Sequence, residues 1–335
     1  MKRLLAMLLV AAPAIAQSVA FTPRGVVVAH DGVIETFDPN TLKRTSKAVG
    51  VEYAGAIVSD DVNVAVLDPL HNRVQILGGE AATTGETPTG GAYIDHELYI
   101  LERDSRTITH RGVSLKTGAN PLLCAAEGKL YVYSTLDGIF QEITTEPFAV
   151  ARQMTLPPFA TSFVTDAHLA YFTYPSEKLI RTVDVEQMAE LGKSRVGRAP
   201  IDVALGNHAT LLSARVLAIA DPTEKIIWIA EGNQTAMLAF ARGFLRGLIG
   251  IGVRSALNRA GGYGRDTSQF ESGVDRVFVR SGRIVAYDSA TGTLYKVTKE
   301  IRVLATGVAP RAFALGNDVV YIWHNGTLVA EKASE

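Results

Sequence analysis

The side chains of this chain best placed to do chemistry stand at the ends of similar short apolar runs: His30, Asp68, Glu102, Ser134, Thr173, Asp221, Asp288 and His324. If the runs lie side by side, these residues form a polar ring on one face. His30 and His324 would then sit close together near carboxylates, a donor set for a divalent metal or a general acid–base pair. A structural reading competes with the chemical one, because Asp and Asn at strand ends hydrogen-bond the backbone of the following turn. No Cys-x-x-Cys-His, HExxH, GxSxG, P-loop or EF-hand pattern occurs in the chain. Gly261-Gly262-Tyr263-Gly264 reads as a linker, since no strand leads through it into a helix. The single cysteine, Cys124, lies in the apolar run LLCAA and reads as a buried structural thiol.

The elements that must position these residues repeat. The aligned runs are VVVAH, VAVLD, LYILE, LYVYS, LAYFT, LAIAD, IVAYD and VYIWH, spaced 32 to 48 residues apart except for one step of 67 between Asp221 and Asp288. Turn chemistry follows each run, as in Asp31-Gly32, Asp137-Gly138 and Asn325-Gly326, and a further β-prone run comes next, as in VIETF, IFQEI and TLVAE. Asn-Gly between branched and aromatic runs is a strong hairpin signal. Most copies add a polar fourth segment, such as KRTSKAVG or IRVLATG. Four short strands in a repeat of about 40 residues describe a β-propeller blade. A lone meander cannot cover both of its faces, whereas radial stacking buries each between two neighbours. The expected fold is all-β: a β-propeller of four-stranded antiparallel blades, with eight repeat signatures, or seven blades if two weak copies share one. The last copy lacks a fourth strand, and a strand near Ser18–Thr22 is expected to complete the final sheet and lock the ring. Trp228 and Trp323, inside strands, are expected in core or inter-blade packing.

The units GKLYVYSTLDGIFQEI (128–143) and GRIVAYDSATGTLYKV (282–297), with links such as VGRAP and TGVAP, resemble the YVTN-type and related bacterial propeller repeats. The resemblance spans roughly Val19 to the C-terminus and implies an architecture. It also implies one enzymatic alternative, a lactonase- or lyase-like propeller with a metal held by carboxylate, Asn or His side chains at the channel mouth.

Met1-Lys2-Arg3, the apolar stretch Leu4–Val10 and Ala14-Ile15-Ala16 together read as an export signal over residues 1–16, with Gln17 the new terminus. The apolar run is shorter than the roughly 20 residues a membrane span requires. A single propeller domain over 17–335 follows, exported to the periplasm or the medium. With one cysteine it has no internal disulfide, so packing must hold it together. Lys and Arg total 33 against 34 Asp and Glu, a balance that gives no field for nucleic acid. The long step contains an insertion at about 234–272, helical in composition at its ends and rich in glycine. Arg242 and Arg246 share one helical face there, and with Phe244 and Arg254 they make a candidate membrane-surface or partner contact. The functional expectation is an exported non-catalytic binding or scaffold propeller that presents one face to a protein, peptide or glycan. The alternatives are the metal-dependent enzyme and a membrane-surface protein acting through the insertion.

Overall fold

The structure is a computed structural model that describes residues 18–60, 62–195, 200–206, 216–220, 226–231, 237–239, 276–281, 283–288, 291–297 and 301–333. Eight sheets occur among the described residues. The first holds β1 (Ser18–Thr22), β2 (Gly25–His30), β3 (Val33–Phe37) and β4 (Arg44–Val49). The second holds β5 (Ala56–Ser59), β6 (Val64–Asp68), β7 (Arg73–Ile76) and β8 (Ala81–Thr83). The third runs through β9 (Pro88–Ile94), β10 (Glu97–Glu102), β11 (Thr107–His110) and β12 (Val113–Lys116). The fourth comprises β13 (Pro121–Ala126), β14 (Lys129–Ser134), β15 (Ile139–Thr145) and β16 (Phe148–Thr155). The fifth contains β17 (Ser162–Thr165), β18 (Leu169–Tyr174), β19 (Leu179–Asp184) and β20 (Ala189–Arg195). The sixth is built from β21 (Pro200–Gly206), β22 (Val216–Ala220), β23 (Ile226–Glu231) and β24 (Met237–Ala239). The seventh has β25 (Arg276–Arg280), β26 (Arg283–Asp288), β27 (Thr293–Val297) and β28 (Ile301–Ala305), and the eighth only β29 (Phe313–Leu315), β30 (Val319–His324) and β31 (Thr327–Lys332).

The first strands of successive sheets lie next to one another all the way round, and β29 meets β1, so the sheets close into a propeller ring. Each repeat signature of the sequence corresponds to one sheet. Register confirms the hairpins: His30 faces Val33 across Asp31-Gly32, and His324 faces Thr327 across Asn325-Gly326. All four turn residues have φ between 46° and 76°, the paired left-handed conformation that matches the twist of the flanking strands. Second strands are the most buried, as in GVVVAH, VAVLD and LAYFTY, because they are flanked by sheet neighbours within the blade and by blades on both faces. Fourth strands are mostly exposed, as β4 and β16 show.

Three expectations are corrected. β1 pairs with β2 as the innermost strand of the first sheet, so it does not complete the eighth, which stays three-stranded. The ring therefore closes by packing. Val19 N donates to Arg311 O at 2.8 Å, and Val19, Val26, Val28 and Phe37 bury against Tyr321, Trp323 and Leu328. Trp323 stands in this seam, 4.6 Å from the His30 ring and 6.0 Å from Phe37. In the sixth sheet the order is β21–β23–β22–β24, so the run IIWIAE, richer in bulky branched and aromatic residues, takes the place beside β21 expected of VLAIA. Met237–Ala239, expected to be helical, is a short strand parallel to β22, an available sheet edge outweighing the helical leaning of three residues.

Cys124 is partly buried beside the aromatic cluster of the fourth and fifth sheets, its Sγ 4.0 Å from Thr165 O, and burial pushes its thiol pKa up. That is the setting of an inert thiol.

Candidate binding face

Antiparallel alternation brings two kinds of segment to the same rim of each sheet: the turn after its second strand and the link that enters its first. The side chains predicted for a polar ring sit on this link face, and most point inward. Asp68 is 1% exposed and accepts from Tyr53 N in its link (3.3 Å), from Leu70 N and His71 N in its turn (3.1 and 3.0 Å), and lies 2.8 Å from His71 Nδ1. Glu102, equally buried, accepts from Gly85 N at 2.7 Å and from the Thr107 and Thr109 hydroxyls at 2.7 and 2.9 Å. Ser134 donates to Thr117 O in its link, and Thr173 accepts from Ser162 N at 3.1 Å. Asp288 is buried at the end of β26. Asp68, Glu102, Ser134 and Thr173 thus spend their oxygens on the neighbouring backbone and hydroxyls, the oxygens a metal or substrate would need.

The histidines differ. His30 lies in the seam with Nδ1 3.2 Å from Asp31 and Nε2 3.4 Å from Glu35, while its ring rests on Trp323. Glu35 also accepts from Arg44 at 2.6 Å. Burial works against the charge on Glu35, yet the hydrogen bonds from Arg44 and His30 hold its carboxyl below the usual value. His324 comes from the neighbouring sheet and is exposed. Among the described residues, no group of three His, Cys, Asp or Glu side chains is arranged to hold a metal ion. Asp221 and the insertion residues Arg242, Phe244, Arg246 and Arg254 lie outside the described residues, as do residues 1–16.

What the link face does present is an apolar knuckle between the fourth and fifth sheets. Tyr133 and Tyr174, both buried, donate their phenols to Pro157 O at 2.6 and 2.8 Å. Leu156 N donates to Gly138 O at 2.7 Å, and Phe159 N donates to Thr135 O at 2.6 Å. The link Leu156–Phe159 is thus pinned at three points. Phe159 emerges 61% exposed at φ 72°, a conformation that costs a bulky L-residue of order 1–2 kcal/mol. Leu136, next to Thr135, is 54% exposed. Backbone strain and exposure thus coincide on one large aromatic side chain.

A second feature lies at the mouth of the channel. Asp202 on β21 accepts from the Ser162 hydroxyl of β17 at 2.7 Å and from Val277 N of β25 at 3.1 Å, so one carboxylate joins three neighbouring inner strands. Burial pushes its pKa up, against the pull of Ser162 and Arg276. Arg311, at φ 71° before β29, is solvent-exposed, yet the protein around it depresses its pKa. The sequence carried a signal for Asp202, a lone acid within the apolar run PIDVAL. It carried none for Phe159, whose pose is set by two distant phenols.

No family model matches the chain, and no curated protein matches it either. Solved structures do. The computationally designed Ika8 protein superposes with a TM-score of 0.59 at 11% identity, covering 95% of this chain and 96% of that one. The hydrazine synthase of Kuenenia stuttgartiensis superposes at 0.52 and 10% identity, covering 99% of each. At such identities the likeness is one of fold.

Proposed function

We propose that this chain is an exported, non-catalytic binding propeller whose link face docks a protein, peptide or glycan partner. The observation that carries the reading is the knuckle of Phe159 and Leu136, held outward by buried tyrosines while the acidic strand ends around it are engaged internally. Rigid, exposed aromatic side chains are the anchors interfaces favour, since they bring large contact area at low entropic cost. The leader-like residues 1–16 support export, and the absence of the common catalytic motifs from the sequence favours the binding reading.

The test uses residues 17–335, immobilised and exposed to the exported fraction of the source cells and to a glycan array. Saturable binding should be lost in the Phe159→Asp/Leu136→Asp variant and kept in Val113→Asp, a change at an equally exposed residue on the opposite face. Binding that survives the double substitution would remove the link face from the reading.

A further inference from the structure

The junction between the second and third sheets is underfilled. Tyr133, Phe140, Phe163 and Phe172 fill the junction of the fourth and fifth sheets edge to face. The corresponding space between the second and third holds Val58, Ala65, Leu67 and Val74, with Leu98 and Ile100 against them. Register sets Tyr93 beside Leu98, Thr109 beside Ile100 and Ser114 beside Thr109, so these five share the face of the third sheet that looks at the second. Opposite stand Val74 and Ile76 of β7 and Ala82 of β8. The short Thr, Ser and Ala side chains leave a cleft of about 650 Å³ between the two walls. That lies within the roughly 300–1,000 Å³ typical of small-molecule sites. Charged groups along the cleft are engaged: Arg111 donates to Glu97 at 3.0 Å, His96 lies 2.9 Å from Asp60, and Glu102 accepts from Gly85 N, Thr107 and Thr109. Tyr93 lines the cleft too, but its hydroxyl is buried with no hydrogen-bond partner. Burial, with Asp60 nearby, pushes that phenol up to about 12, so it remains a donor at neutral pH.

We infer that this cleft binds a small uncharged molecule, its apolar body against Val74, Ile76, Leu98 and Ile100 and a carbonyl or ether oxygen accepting from Tyr93. Ile76, 43% exposed, marks the open side through which the molecule enters. Covering these apolar side chains supplies the attraction, and the hydrogen bond that the phenol lacks fixes the orientation. A charged ligand would have to break the existing ion pairs to offset its own desolvation. The cleft belongs to other sheets than the Phe159 knuckle and stands whether or not that knuckle docks a partner.

Fluorescence titration of the chain over residues 17–335 with prodan, an uncharged naphthyl ketone whose emission shifts to the blue in apolar surroundings, tests the inference. Saturable binding at one site is expected. Ala82→Trp, at an exposed position on the cleft wall, should abolish it by filling the space while keeping the circular dichroism of the parent. Tyr93→Phe should weaken prodan about fivefold, the scale of one uncharged hydrogen bond, yet leave the affinity for naphthalene, which has no oxygen, unchanged. Without ligand this variant should melt no lower than the parent, since an unsatisfied hydroxyl has been removed. Absence of saturable binding, equal prodan affinity in the parent and either variant, or loss of binding in Phe159→Asp/Leu136→Asp instead would overturn the site. An equal loss for naphthalene in Tyr93→Phe, or a lower melting temperature, would overturn the role of the phenol and with it the ligand class.

Discussion

Replacing Trp323 by alanine should open the ring at one place. Trp323 is 4% exposed, and it fills the seam where the eighth sheet meets the first, against His30, Phe37, Val26 and Val28. Truncating a buried Trp costs about 3–5 kcal/mol. The two aromatic contacts across the seam, at about 0.5–1.5 kcal/mol each, are part of that sum. Elsewhere the chain passes through each junction and ties neighbouring sheets covalently. Here the tie is the Val19 N to Arg311 O bond and side-chain packing. The loss should therefore appear first as local opening. Hydrogen exchange would show it: amides of β1, β29 and β30 should exchange about a hundredfold faster, while those of β14 and β18 slow or hold their protection relative to them. Phe140→Ala, at the fully buried junction of the fourth and fifth sheets, is the comparison, and it should leave the seam amides no less protected than the rest. If Trp323→Ala lowers protection evenly around the ring, or costs under about 1 kcal/mol by urea unfolding, closure by packing is refuted.

Three further outcomes follow from particular residues. Because burial raises the Asp202 pKa in the folded state, the native protein binds a proton there more tightly than the unfolded chain. That contribution is complete below the ordinary carboxylate range and is lost as pH rises through it towards the raised folded value. The stability of Asp202→Asn relative to the parent should thus improve as pH goes from 4 to 7; a constant difference across urea curves would contradict the assignment. Gly138→Ala should cost about 2–4 kcal/mol by thermal unfolding, since φ is 70° and a Cβ would lie 2.1 Å from Leu156 O; a cost near zero would show that the link yields. Phe159→Gly should raise stability by up to about 1 kcal/mol while abolishing partner binding, with strain relieved and the anchor removed; loss of both would make Phe159 structural.

Much of the fold was legible because its signals are local. Asp31-Gly32 and Asn325-Gly326 specify their turns within two residues, and runs such as LYVYS declare strands by residue type. What failed to show was set at a distance. SVAFT would fit either an inner strand or an outer one, and only ring closure assigns it to the first sheet. IIWIAE and VLAIA are both plausible second strands, and pairing across the sixth sheet decides between them. At the candidate face, the alignment found the right rim but could not tell a staple from a ligand. Asp68 and Glu102 look alike as free acids in the sequence, and only the backbone amides of Tyr53 and Gly85, 15 and 17 residues away, reveal their use.

The odd number of strands in the eighth sheet has a practical corollary. Ser18 enters at the link rim, where its hydroxyl bonds to Ala54 O, whereas Lys332 leaves at the far rim, opposite Val319. A fourth strand would have carried the chain back to the side it started from. Coupled to a bead or sensor chip through its carboxyl end, the disc should sit with Phe159 and Arg311 turned to the solution; coupled through its amino end, it should hide them. Orientation on a support is thereby written into strand parity.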